Sequence, residues 1–198
     1  MKKILSIFVM AFTFTCLNNL NAAAQTASWR QVVGIITAGN VVGVGSGAVS
    51  GGFLPWTTTS GSASVNLESG HIHFVVRGLV FAGGSPTITI GTPLPVTQVK
   101  ATLVCDADGS AGAGNSVLVE TPSVPLSSTG DAEFNGDIGP LPSVCSSEPD
   151  LALLVRASSF GGPVIEGPWI ANGAVLSIHR DHDDRDNDHD RDHDQDRH

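Results

Sequence analysis

Histidine and aspartate are the residue types on which this chain could do chemistry, and they crowd into its last twenty residues, HRDHDDRDNDHDRDHDQDRH. Histidines stand at His179, His182, His189, His193 and His198, and an aspartate occupies every even position from 184 to 196. Neutral imidazoles on a flexible chain can gather round a borderline divalent ion, Zn²⁺, Ni²⁺ or Cu²⁺, at an ordering cost that limits affinity. The aspartate row, with Asp186, Asp188 and Asp190 around His189, suits Ca²⁺ or a mineral surface instead, because hard cations prefer carboxylate oxygen. Ca²⁺ is the less favoured of these ions, and no cofactor is required. From Arg185 the run nearly repeats every six residues (RDNDHD, RDHDQD, RH), a period that fits neither a helical turn nor a heptad. No apolar residue follows Ile178, so the segment cannot bury a face and is expected to be disordered. The same composition also describes a hydrated zwitterionic brush.

Upstream, His71 and His73 are the only other histidines. At i and i+2 on a strand they project from one face, which is how a sheet presents two imidazoles to a metal. A third ligand is needed, and Glu68 and Glu166 are the carboxylates to consider; the alternative is a polar, solvent-facing strand continued by Arg77. Asp106 and Asp108 in CDADGS offer oxygen ligands to Ca²⁺, but the EF-hand spacing fails and a tight turn explains the Asp-Gly pair. Gly43, Gly45 and Ala48 sit in a G-x-G-x-x-A arrangement, yet Gly51, Gly52 and Pro55 follow where a nucleotide-binding helix would have to begin. No G-x-S-x-G elbow occurs. Asp131, Glu133 and Asp137 lie close in sequence without naming an acid–base pair. The reading is therefore non-enzymatic.

The elements that carry these residues are short β-branched runs between turn signals. Strands are predicted at 29–37, 62–67, 71–81, 87–90, 96–105, 116–120, 131–138, 151–158 and 169–178, separated by Gly-, Pro- and Ser-rich loops. Alternation supports antiparallel pairing. Ile72, Phe74 and Val76 share one face, while Val99, Ala101 and Leu103 lie opposite Gln98, Lys100 and Thr102, which are expected to be solvated. The predicted fold is all-β, an antiparallel two-sheet sandwich of eight or nine strands.

Three segments follow. Residues 1–24 have the n-region (Lys2, Lys3), the apolar stretch Ile4–Leu17 and the Ala22-x-Ala24 site of a secretory signal peptide. Its apolar stretch is shorter than the ~20 residues that cross a bilayer, and a lipidated Cys16 fits poorly after Phe14 and Thr15. Residues 25–179 form the β-domain and 180–198 the tail. Export implies a secreted, periplasmic or extracellular address, where Cys105 and Cys145 are expected to form a disulfide. Residues 25–179 hold ten acidic residues against Arg30, Arg77, Lys100 and Arg156, which excludes a nucleic-acid footprint and an anionic-membrane footprint. Divalent ions are the expected partners, and no protein partner is specified.

The stretch GSASVNLESGHIHFVVRGLV, through Ser62–Leu67, Phe74, Gly78 and Leu79, resembles the strand pair of chordin-type (CHRD) domains, and GGPVIEG at 161–167 resembles the close of that module. The family's His-x-His follows the Gly-Leu, whereas here His71 and His73 precede it. The resemblance covers about a quarter of the chain. It implies an extracellular, Ig-like or CHRD-like β-sandwich with a binding role and carries over no catalytic residue. Two alternatives to a structural or binding domain with a metal-binding tail stay open. One is a metal-dependent enzyme or metal chaperone using His71 and His73; the other is a partner-binding module with an apolar patch on one sheet.

Overall fold

Runs rich in Val, Ile and Thr that alternate with small polar residues favour extended backbone, because a branched side chain packs well on a pleated, half-buried surface. A computed structural model describes residues 25–84, 86–111, 114–147 and 150–180, and in it these runs become strands. They are β1 (Gln25–Gly34), β2 (Val41–Val42), β3 (Val49–Ser50), β4 (Trp56–Thr57), β5 (Ser60–Asn66), β6 (His71–Arg77), β7 (Val80–Phe81), β8 (Gln98–Cys105), β9 (Val117–Glu120), β10 (Val124–Pro125), β11 (Ala132–Asp137), β12 (Leu151–Ser159) and β13 (Trp169–Arg180). One four-residue helix, α1 (Val144–Ser147), interrupts them. Residues 1–24, expected from sequence to be a signal peptide, and 181–198, expected to be a disordered tail, lie outside the described residues.

The fold is all-β and antiparallel, as the alternation requires. Its two layers are not separate sheets but halves of one. Nine strands hydrogen-bond in the order β10-β8-β12-β13-β1-β5-β6-β11, with β9 also on β8, and β2-β3 and β4-β7 make two small ribbons. The end strands β10 and β11 are consecutive in sequence, joined by residues 126–131. Eight strands laid flat span about 34 Å at ~4.8 Å per strand, whereas six residues reach about 25 Å at most. That link is tighter still, because Ser127 donates its backbone N–H to the Asp131 carbonyl at 2.9 Å. The sheet must therefore curl until its edges meet. One core fills the interior, including Trp29, Val32, Val65, Ile72, Phe74, Val76, Leu103, Leu153 and Val155.

Four local expectations change. Residues 87–90, TITI, form turns rather than a strand; Gly91 at φ 80° and the Thr92 hydroxyl, donating to the Thr89 carbonyl at 3.0 Å, fold the run back. The 71–81 run breaks at Gly78, whose φ of 64° leaves the strand region. β13 continues to Arg180, opposite Gln25. Most consequential, Lys100 and Thr102 are not solvated but buried, along with almost all of β8 and β12. Both strands lie inside the sheet with both faces covered, which their nearly continuous apolar sequences, QVKATLVC and LALLVRASS, permit.

Cys105, at the end of β8, is bonded to Cys145 on α1, with Cα atoms 4.8 Å apart. Both residues are fully buried. The bridge pins the short helix beneath the sheet, where a helix of this length has no stability of its own.

Candidate functional site

Register places the body histidines on the outer face of the sheet, near one end. In antiparallel pairs, opposed residues share a face. Asp137 lies opposite His71, and Asn135 opposite His73. The His71 Nδ1 is 2.7 Å from Asp137 Oδ1, and His73 Nε2 is 3.7 Å from Glu133 Oε1. Glu133 also accepts a hydrogen bond from the Arg77 guanidinium at 2.9 Å. The carboxylates that meet the imidazoles thus come from β11, not from Glu68 or Glu166. Each histidine has a different carboxylate, and among the described residues no three His, Cys, Asp or Glu side chains converge as a metal centre needs. All of these groups are largely exposed, so each pair contributes roughly 0–1 kcal/mol.

His179 reaches the same end by another route. It is exposed and opposes Thr26, which opposes Asn66, and the Val65–Ile72 pair sets Asn66 beside His71. The row therefore runs His179, Thr26, Asn66, His71, Asp137 across five strands. Three strand spacings, roughly 14 Å, separate His179 from His71, too far to share an ion directly. His182, His189, His193, His198, Asp186, Asp188 and Asp190 lie outside the described residues. The chain leaves toward them from the end of β13, beside Gln25.

A second charged assembly was not legible as a site in sequence. Lys100 on β8 and Arg156 on β12 are directly opposed, and both are buried. Lys100 Nζ donates to Glu120 Oε2 and to Glu166 Oε1. Arg156 reaches the same two carboxylates, at 2.6 Å and 3.1 Å, and its Nε donates to the Gly167 carbonyl at 2.8 Å. Thr102 adds its hydroxyl to Glu120 at 3.1 Å. Two cations and two anions cancel, which is the condition for keeping charges out of water. The hydrogen bond from Lys100 holds the Glu166 carboxyl below the usual glutamate range, with the positive charges of Lys100 and Arg156 adding to it. The assembly fastens the 160–168 loop to the sheet. The available signal was a lone cation inside each of two continuous apolar runs, which demands a buried partner.

The CDADGS segment is a turn. The Gly109 N–H reaches the Asp106 carbonyl at 3.1 Å, and Asp106, at φ 54° and 1% exposure, accepts from the Ala111 N–H. Asp108 accepts from the Ser110 N–H at 2.8 Å, the main cause that lowers its carboxyl below the ordinary value. These oxygens are occupied in shaping the loop, as short acidic side chains commonly do. The glycine-rich 41–52 stretch forms β2, a 3₁₀ turn at Gly45–Gly47 and β3. Asp131, the remaining member of the acidic trio, accepts from the Gly78 N–H at 3.0 Å and the Thr129 hydroxyl at 2.8 Å, and the Gly78 bond leads the causes that lower its carboxyl. No protein-family model, no curated protein and no solved structure matches this chain.

Proposed function

We propose that this chain is an exported, non-enzymatic β-domain with a structural or binding role, carrying a C-terminal element that takes up divalent cations. The observation that carries the reading is how the ionisable groups of the body are used. His71 is engaged by Asp137, His73 by Glu133, and Lys100 and Arg156 by Glu120 and Glu166. Lys100 and Arg156 are buried against Glu120 and Glu166 and would have to give up those partners to act on a substrate. His71 and His73 stand beside different carboxylates, and among the described residues no third ligand converges on them. The imidazoles of the 179–198 segment then form the richer ligand set, with Zn²⁺, Ni²⁺ or Cu²⁺ suited to nitrogen and Ca²⁺ less so. The Cys105–Cys145 bridge fits an oxidising compartment, in keeping with the leader-like first 24 residues.

Calorimetric titration of residues 25–198 and 25–180 with each ion tests this near neutral pH, where histidine is mostly deprotonated. The shorter chain stops at Arg180 because β13 does. Binding by the longer chain alone, unchanged by His71→Ala, is the expected result. Stoichiometric binding by the shorter chain would overturn it and move the site to His71 and His73, as a metal enzyme or chaperone requires.

A further inference from the structure

The two ends of the curled sheet differ in chemistry. Gly34, Trp169, Ser159 and Gln98 lie at one end, fixed there by the pairs Gly34–Ala171, Arg156–Trp169 and Ser159–Gln98. Four connections therefore leave that end: 35–55, 82–97, 160–168 and 126–131, the last because Pro125 pairs with Gln98 and Ala132 with Val76. The one charge of 126–131, Asp131, is held by the Gly78 N–H and the Thr129 hydroxyl. Backbone hydrogen bonds knit the first three side by side: Gly52 N–H to Trp169 O, Ala82 N–H to Pro55 O, Phe81 N–H to Thr92 O and Thr97 N–H to Ser159 O, at 2.8–3.1 Å. From these loops project Ile36 (78% exposed), Phe53 (85%), Ile90, Leu94, Phe160 and Val164. No charged residue occurs between Arg30 and Glu68 or between Arg77 and Lys100. Glu166, the one charge in the third loop, is tied to Lys100 and Arg156. The opposite end carries His71, Asp137, Asp106, Asp108, Asp150 and the exit of the acidic tail.

We propose that this end docks, through the tips of its charge-free 35–55 and 82–97 loops and the neighbouring 160–168 loop, on a lipid bilayer with zwitterionic headgroups. Exposed apolar side chains are set two or three to a loop, with Val41 and Ile165 adding to those named. They project from separate loop tips, a shape that suits a fluid surface better than a fitted protein partner. Such immersion demands that backbone polar groups already be satisfied, and the bonds between the loops do this at the points they join. It also demands that no charge be dragged from water. A protein partner is ordinarily oriented by charged and polar groups at the rim, of which these loops supply few. The acidic end then points away, into solvent.

Flotation of the full mature chain with phosphatidylcholine vesicles, at low and high salt, tests the proposal. Binding should be insensitive to salt, and Phe53→Asp and Ile90→Asp should each weaken it about tenfold, the worth of one buried apolar side chain. Both side chains are well exposed, so the fold survives, as circular dichroism would verify. Ser62→Asp, adding the same charge on the sheet face, should change nothing. Three results would overturn the proposal: no flotation, binding that the two loop substitutions leave intact, or self-association abolished by them without any vesicle binding. The last would assign the end to a second copy of the chain.

Discussion

Val175 holds a backbone φ of 58° in the middle of β13, with its side chain largely in water. A β-branched residue in the left-handed region is strained by about 1–2 kcal/mol, and little burial offsets it. Val175→Gly should therefore raise stability by about 0.5–1 kcal/mol in urea denaturation, after the entropic cost of glycine. Two positions earlier the opposite holds. A Cβ on Gly173 would stand 2.6 Å from the ring of Trp29, which is 2% exposed and has no room to yield. Gly173→Ala should cost about 1–3 kcal/mol. Glu166 gives a prediction in pH. Its carboxyl titrates lower in the folded chain than its ordinary value of 4.5, so its contribution is fully present above that value and is lost as pH falls through the folded one. Glu166→Gln should flatten the acid limb of the stability curve below pH 4.5 and leave neutral stability within about 1 kcal/mol, because the group is two-thirds exposed.

At the scale of elements, β8 and β12 bear the tightest constraints. Lys100→Met would leave Glu120, three-quarters buried, with one cation instead of two, and thermal melts should show a loss of about 3 kcal/mol. Replacing both Cys105 and Cys145 by alanine removes a crosslink spanning 40 positions and should cost about 3–4 kcal/mol. The longer strands were legible because period-two alternation and glycine-rich turns leave a clear trace in sequence. So was the pairing of two cysteines. The two-residue strands β2, β3, β4 and β10 were not, since two residues have no period, and β7 was read only as the end of an unbroken 71–81 run. TITI failed for the converse reason: its β-branched residues have the right propensity, but the neighbouring glycines and prolines decide the backbone. Lys100 was misassigned because alternation alone distinguishes two faces and cannot tell when both are covered.

For the whole molecule, the curl explains why His71 and Glu166, proposed together from sequence as metal ligands, belong to different assemblies. His71 lies on β6, near one edge of the sheet order, and Glu166 is held by β8 and β12 toward the other. Sequence spacing carries no information on such closure, because the sheet order is set by non-local pairing. The pairing of Gln25 with Arg180 has a further consequence, in time rather than space. β1 lies between β13 and β5, yet one of its partners is the last strand of the domain to be made. During synthesis the first strand must wait with one edge bare while everything between is produced. Pairing across so many residues is slow to nucleate. The domain should therefore fold only once the chain has emerged whole, with refolding in milliseconds to seconds, and an interrupted chain ending before Trp169 should aggregate through β1 rather than persist as a partial fold.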